Sequence, residues 1–410
     1  MEGLNVRQIG KSVSEPETIT YIFLTKLFFE NQLMYAIMWL ISPSALGVWY
    51  IIDFLISLFF LYGLRKGVRK KALIVFLVYS TLLILSYFQF SDYLSDQLQK
   101  IFVQSVLVIF AVLQCREFKT IVTAIRTGTL ISGAIMGVVY PFNEVILGNH
   151  SGKANYMVLT YMLVVGLIGY AYFGITEKRK GYILWAILLF IEVIIAGSRG
   201  GIVCAVVIFL IACLHSRNNL TRQQILRTIL LFSVIAYAVL NFDSIMFALS
   251  NFAERFGINT RSINMYLQGA WMENKSNDGR NELARQVFSL LKDNPLGYGF
   301  LSHYKLLGTY PHNVFLELLL DFGVFLGGAL CVTIIVLSAR NLLFNKNLSS
   351  AFAIMFAIAF VKSFFSGEIA TDPFFAIFIG LILRHLFYND KVERNCENEI
   401  LQKNISQSFE

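Results

Sequence analysis

Apolar residues along this chain gather into long runs separated by short polar connections, with no sustained alternation of apolar and polar positions. Runs of roughly 17 to 25 residues match the bilayer core when wound as helices, whereas a β-barrel needs short alternating strands. Twelve spans are predicted, near residues 20–40, 46–64, 72–90, 98–114, 119–140, 155–175, 182–197, 200–214, 224–244, 313–337, 349–367 and 372–388. Lys26 and Glu30 interrupt the first, and the break between the seventh and eighth is inferred from glycines. The fold class this predicts is an all-α, polytopic integral membrane protein.

The connections give the orientation. Basic clusters recur in alternate ones: "RKGVRKK" (65–71), "CREFK" (115–119), "TEKRKG" (176–181), "HSRNNLTRQQILR" (215–227), "ARNLLFNKN" (339–347) and "RHLFYNDKVER" (384–394). By the positive-inside rule these are cytoplasmic, and both termini lie on that side. The basic-poor connections, among them "GSRGG" (197–201) and "SGEIATDP" (366–373), face outward. The expected organisation is a cytoplasmic tail (1–17), nine spans (18–244), a large extracytoplasmic loop (245–311), three spans (312–388) and a second cytoplasmic tail (389–410).

Composition agrees. With 56% hydrophobic and 15% charged residues and a mean hydropathy of +0.63, the chain cannot form an ordinary water-soluble surface. The net charge of +8 is concentrated in the cytoplasmic connections, so it argues for orientation and not for nucleic-acid binding. The first 17 residues lack the apolar stretch and small-residue cleavage site of a signal peptide, and read as a retained tail. The five cysteines show no CxxC spacing and read as small hydrophobes.

The 67-residue loop from Ile245 to Pro311 breaks the pattern of short connections and is the natural place for chemistry. Within it, a short amphipathic helix is predicted from near Gly279 to Asn294-Pro295, with Leu283, Ala284, Val287, Leu290 and Leu291 on one face. Arg280 aligns with that apolar face, in the first turn, where a cation opposes the helix dipole. It suits an anion site beside free N–H groups, or an arginine snorkelling to headgroups or pairing with Asp278. Arg199 poses the same alternative in "AGSRGG" (196–201), where Gly197, Gly200 and Gly201 permit a tight turn and close approach of backbone to a ligand.

In "GTYPHNVFLELLLDFG" (308–323), Pro311 suits the first position of the tenth span, which places His312 in its first turn at the outer surface. An imidazole there can take a proton from an attacking hydroxyl, or simply hydrogen-bond at the interface. Glu317 and Asp321 lie further along, and carboxylates in an apolar span usually face the bundle interior. The chain has no Walker A loop, GxGxxG, HExxH or metal-ligand clustering, the remaining histidines being scattered; a metal-independent reaction, with no cofactor, on a lipid-linked substrate fits best.

The succession of "GSRGG", a long outer loop carrying "DGR" and "NPLGYGF", and "YPHNVFLELLLDFGVFLGG" opening the next helix resembles the O-antigen ligase/polymerase superfamily of bacterial surface-polysaccharide enzymes. The resemblance implies a GT-C-like glycosyltransferase architecture in the inner membrane. It implies undecaprenyl-pyrophosphate-linked oligosaccharide as substrate, and a chain-length regulator and a flippase as candidate partners. It places diphosphate binding on Arg199 and Arg280 and the base or acceptor-orienting role on His312, with Arg255, Arg261, Tyr310 and Asn313 as further substrate-binding candidates. "YPHNVFLE" looks more like the Wzy-type polymerase branch than the ligase form "HLHNE". A ligase acting on lipid A-core, a protein O-oligosaccharyltransferase, and a transporter or flippase for lipid-linked sugar are the alternatives. The absence of an internal repeat argues against the last.

Overall fold

The computed structural model describes residues 15–40, 46–95, 97–142, 156–196, 199–215, 242–255, 278–344 and 350–388. Among these residues the chain is helical, with no β-strand. Helices Glu15–Leu40, Leu46–Gly63, Lys70–Leu94, Leu98–Gln114, Phe118–Pro141, Tyr156–Thr176, Lys180–Ala196 and Arg199–His215 follow the first eight predicted spans. The ninth lies almost wholly outside the described residues. The helix Phe242–Arg255 begins where that span was expected to end and carries helical backbone into the stretch read as loop. By length and composition Lys70–Leu94, Phe118–Pro141, Val158–Thr176 and Val314–Leu342 are able to cross a membrane, while Leu98–Gln114, Gly200–Cys213, Ser350–Val361 and Pro373–Phe387 are apolar but shorter. Exposed apolar side chains such as Ile74, Leu77, Val78 and Phe88 suit contact with acyl chains.

The chain divides into two compact units, residues 1–128 with 370–410, and residues 129–369. In the first, Phe23 stacks on Phe60 at 4.7 Å between ring centroids, and Phe110 packs edge-on to Phe60 at 6.2 Å. Lys26, which is buried, and Glu30, which is partly exposed, interrupt the first span and form an ion pair at 3.7 Å one turn apart, which is how the helix tolerates both. The final helix begins at Pro373, and the Asp372 side chain caps it by accepting from the N–H groups of Phe374 and Phe375.

Three of the basic connections converge in this unit. Arg384, 1% exposed, donates to the carbonyls of Cys115 and Arg116, and Arg69 donates to Cys115 at 2.8 Å. Gln114 accepts from the Arg69 N–H at 2.8 Å and donates to the Gly67 carbonyl at 2.7 Å. Guanidinium groups thus satisfy carbonyls left open where the helix Leu98–Gln114 ends, the end at which positive charge is favoured.

In the second unit, Tyr156–Thr176 packs against both Lys180–Ala196 and Arg199–His215. Its crossing with Phe118–Pro141 is a backbone contact, since a Cβ on Gly166 would fall 2.2 Å from the Gly133 Cα. Small residues at such a crossing let two apolar helices approach closely enough for dispersion to hold them.

The predicted amphipathic helix is present as Asp278–Asp293. Val287 and Leu291 are buried against Leu320, with Leu290, Leu316 and Leu319 packed around them, while Glu282, Arg285, Gln286, Ser289 and Lys292 are exposed. The loop helix therefore lies on the tenth span, and its apolar face is explained by that contact.

The tenth span departs from a single straight helix. Val314–Phe322 ends at Gly323, which has φ +76°, and a π-helical turn, Gly323–Gly327, leads into Gly328–Phe344. The segment "NPLGYGF" docks into this break. Tyr298 and Gly299 donate their N–H groups to the carbonyls of Leu320 and Asp321, at 3.0 and 2.9 Å, and Val324 donates to Pro295 at 2.9 Å. A Cβ on Gly297 would fall 2.3 Å from the Gly323 nitrogen, and one on Gly323 would fall 2.3 Å from the Leu296 carbonyl carbon. Both glycines also have positive φ, so the two segments meet only because neither carries a side chain there. Backbone freed by the break is satisfied by protein, as an apolar surrounding demands.

Candidate functional site

The docked loop brings polar side chains to the tenth span. Glu317 and Asp321 are buried, 0% and 2% exposed, as carboxylates in an apolar span were expected to be. Asp321 accepts from the Leu301 N–H and the Ser302 hydroxyl, each at 2.9 Å, and Glu317 accepts from the Ile369 N–H at 3.1 Å. Between them sits His303, fully buried: Nδ1 is 3.6 Å from Asp321, and Nε2 is 3.9 Å from both Glu317 and Glu368. Tyr304 packs its ring on His303 at 4.5 Å and donates its hydroxyl to Glu368.

Burial alone would drive His303 towards neutrality, but Glu317, Asp321 and Glu368 outweigh it and raise its pKa to about 10. The carboxyl groups thus favour the protonated imidazole, which joins the loop, the tenth span and the connection after the eleventh. Burial and the neighbouring Glu368 raise the Tyr304 hydroxyl far above its ordinary value, which keeps it a donor.

This arrangement corrects the expectation that metal-ligating types are scattered. One ligand atom from each of His303, Glu317 and Asp321 lies within 4.8 Å of the others, close enough to hold a cation. Sequence hid the cluster because His303 belongs to the loop and joins the carboxylates only after docking. The carboxylates already accept from backbone and hydroxyl donors, and an imidazolium among them accounts for the same geometry.

A second group lies around His312. Here too the expected local structure is corrected: the helix starts at Val314, Pro311 is not its first residue, and His312 precedes the cap. Asn313 outcompetes the proline because its side chain accepts from the N–H groups of Phe315 and Leu316, at 2.9 and 3.3 Å, satisfying two otherwise open donors. His312 takes φ +57°, and its half-buried ring packs on Tyr310 at 4.2 Å between centroids. Burial and the charge of Arg280 hold its pKa below the ordinary histidine value, with Glu368 opposing in part. Both effects favour the neutral imidazole, the form able to accept a proton. Arg280 is half-buried in the first turn of Asp278–Asp293, on the packed face as predicted, and its charge acts on both Tyr310 and His312.

Arg199 is the first residue of the helix Arg199–His215. The glycines after it are closely packed. A Cβ on Gly200 would fall 2.4 Å from the Tyr161 hydroxyl and 3.0 Å from Phe365 Cβ, and one on Gly201 would fall 2.7 Å from Thr160. Both permit close contact between helices, while Gly197 lies outside the described residues. The Lys362 ammonium sits 5.2 Å from the Tyr161 ring centroid, and its charge also acts on Tyr310. Tyr310, Arg280, His312, Lys362 and the start of Arg199–His215 therefore share one neighbourhood.

Of the remaining candidates, Asn313 is a helix cap, Arg255 is exposed at the end of Phe242–Arg255 with no described contact to this neighbourhood, and Arg261 lies outside the described residues. Sequence reasoning missed His303, Lys362 and Glu368. A lysine within a predicted apolar span, at the end expected to face outward, was the available signal for Lys362.

Fold and site together describe a helical protein, several of whose helices are able to cross a membrane, with cationic side chains gathered where the segment 278–312 meets apolar helices. Residues 184–331 match the O-antigen ligase family, whose members are glycosyltransferase-like ligases and polymerases, consistent with the O-antigen ligase/polymerase superfamily. That region holds Arg199, Arg280, His303, Tyr310, His312, Glu317 and Asp321, while Lys362 and Glu368 lie beyond it. No curated protein and no solved structure matches the chain.

Proposed function

We propose that this protein is a surface-polysaccharide polymerase of the bacterial inner membrane, with twelve spans, a GT-C-like architecture, both termini cytoplasmic and its site on the outer face. It transfers the growing glycan from undecaprenyl pyrophosphate to a sugar hydroxyl of another lipid-linked repeat unit. The observation that carries the reading is a half-buried His312 packed on Tyr310, with the charge of Arg280 acting on both, in the region that matches the family. A base and an anion-binding group side by side are what a direct glycosyl transfer needs.

In the proposed step the acceptor oxygen forms a bond to the anomeric carbon as the bond from that carbon to the diphosphate oxygen breaks. The acceptor proton passes to His312, and the electron pair of the broken bond leaves with the diphosphate. Arg280 and Arg199 hold that leaving group, and preorganised donors in a water-poor site lower the barrier by stabilising charge as it develops. Attack opposite the leaving group inverts the anomeric centre. No step is assigned to a metal.

Purified protein in detergent, given an undecaprenyl-pyrophosphate-linked repeat unit as sole substrate, is expected to make a ladder of glycan lengths that His312→Ala abolishes. The family match also favours a second reading, ligase activity. Transfer that occurs only after lipid A-core or a protein acceptor is added would replace the polymerase with a ligase or an oligosaccharyltransferase. Sugar movement across vesicles without bond formation would mark a transporter.

A further inference from the structure

Lys362 has no counterpart in the functional reading so far. It follows a helix whose residues from Ala351 to Val361 are all buried, and it comes immediately after a π-helical turn, Phe356–Val361. Such a turn displaces the residues beyond it relative to a regular helix and recurs at functional sites. A half-buried lysine at this end of an apolar span stands out, because the adjoining connection is basic-poor.

Its surroundings point in one direction. The ammonium is 5.2 Å from the Tyr161 ring centroid, a cation–π contact that holds the flexible stem in place. The Tyr161 hydroxyl and Phe365 both press on Gly200, one residue after Arg199, so the lysine stands beside the first turn of Arg199–His215, where N–H groups favour anions. The charge of Lys362 reaches Cys204 on that helix and, across the site, Tyr310, on which Arg280 also acts. Three elements distant in sequence thus bring cations or a positive helix end to one place.

Charge counting separates the lysine's role from that of the arginines. A diphosphate bridging lipid and sugar carries about two negative charges, which Arg199 and Arg280 match, and the released lipid diphosphate carries about three. We propose that Lys362 is a third cation of the diphosphate site, binding the leaving lipid diphosphate and matched to the charge that appears as the anomeric bond breaks. This rests on the function proposed above. An interaction that strengthens in the transition state raises turnover more than substrate affinity, so the lysine belongs to kcat and to product binding rather than to KM.

The test compares wild type with Lys362→Met and Lys362→Arg, each first checked for an unchanged melting temperature in detergent. Lys362→Met is expected to lower kcat by roughly ten- to a hundredfold, with KM for the lipid-linked donor within about threefold. Separately, undecaprenyl diphosphate, used alone as a binding probe, is expected to bind Lys362→Met about tenfold more weakly than wild type, with Lys362→Arg restoring most of the loss. Equal binding of the probe by wild type and Lys362→Met overturns the proposal, as does a kcat within about twofold of wild type. Probe binding that depends on Lys362 in a protein that polymerises nothing would instead sink the polymerase reading and keep the diphosphate site.

Discussion

Replacing His303 by glutamine removes the one imidazolium from a buried group of carboxylates while nearly conserving its size. The magnitude follows from its pKa, raised from 6.5 to about 10 by Glu317, Asp321 and Glu368 against the opposing effect of burial. A folded value above the unfolded one means that the folded state binds the proton more tightly. The stabilisation is therefore complete below about pH 6.5 and is lost as pH rises through 10. At one pKa unit per 1.36 kcal/mol, the effect at pH 7 is on the order of a few kcal/mol, and little of it is left by pH 10. The assay is thermal unfolding of wild type and His303→Gln in detergent between pH 6 and pH 10. The variant is expected to melt several degrees lower at pH 7, and the gap is expected to close towards pH 10, because deprotonation does to wild type what the substitution has already done. A gap that stays constant with pH would refute the imidazolium. A fall in the wild-type melting temperature on adding a chelator would show that these residues hold a metal ion instead.

The activity profile gives a second pH test, with the opposite sense. His312 must be neutral to accept a proton and its pKa is held low by burial and Arg280, so activity should fall on acidification only below the ordinary histidine range, and Arg280→Gln should move that limb upward in the residual kcat. Gly297→Ala and Gly323→Ala each drive a Cβ to within 2.3 Å of facing backbone at a positive φ, and should sharply reduce the yield of folded protein on size-exclusion chromatography. Asn313→Ala removes a cap worth about 1 kcal/mol and should lower the melting temperature modestly, whereas Asn313→Asp should keep it.

Whatever depends on local spacing was legible in the sequence. The helix Asp278–Asp293, its packed face and the placement of Arg280 on that face follow from apolar positions three and four apart. The burial of Glu317 and Asp321 follows from the free energy of exposing a carboxylate to hydrocarbon. Their partners were not legible. Pairing with His303, Ser302 and Leu301 requires "NPLGYGF" to lie against the break at Gly323, a backbone approach that hydropathy does not encode. The start of the tenth helix was misplaced because Pro311 and Asn313 are both good starting signals two residues apart, and which one wins depends on side-chain hydrogen bonds. Lys362 was concealed within a predicted span, since one charge scarcely alters the mean over twenty positions.

The buried cluster and the histidine at the mouth of the site are linked through the backbone. Leu301 and His312 both adopt positive φ, a conformation that a residue other than glycine enters at a cost of about 1–2 kcal/mol. The two bracket the segment that carries His303, Tyr304 and Tyr310. Leu301 donates its N–H to Asp321, and Ser302 donates its hydroxyl to the same carboxylate, so the first strained residue is held directly by the cluster. The second is followed at once by the Asn313 cap, which fixes where the chain enters the helix carrying Glu317 and Asp321. The hydrogen bonds to Asp321 at one end and the Asn313 cap at the other hold both conformations. On this reasoning the segment from Leu301 to His312 is held as part of the tenth span. His312 is thereby held against Tyr310, and the glycosyl transfer proposed above would find its base already positioned.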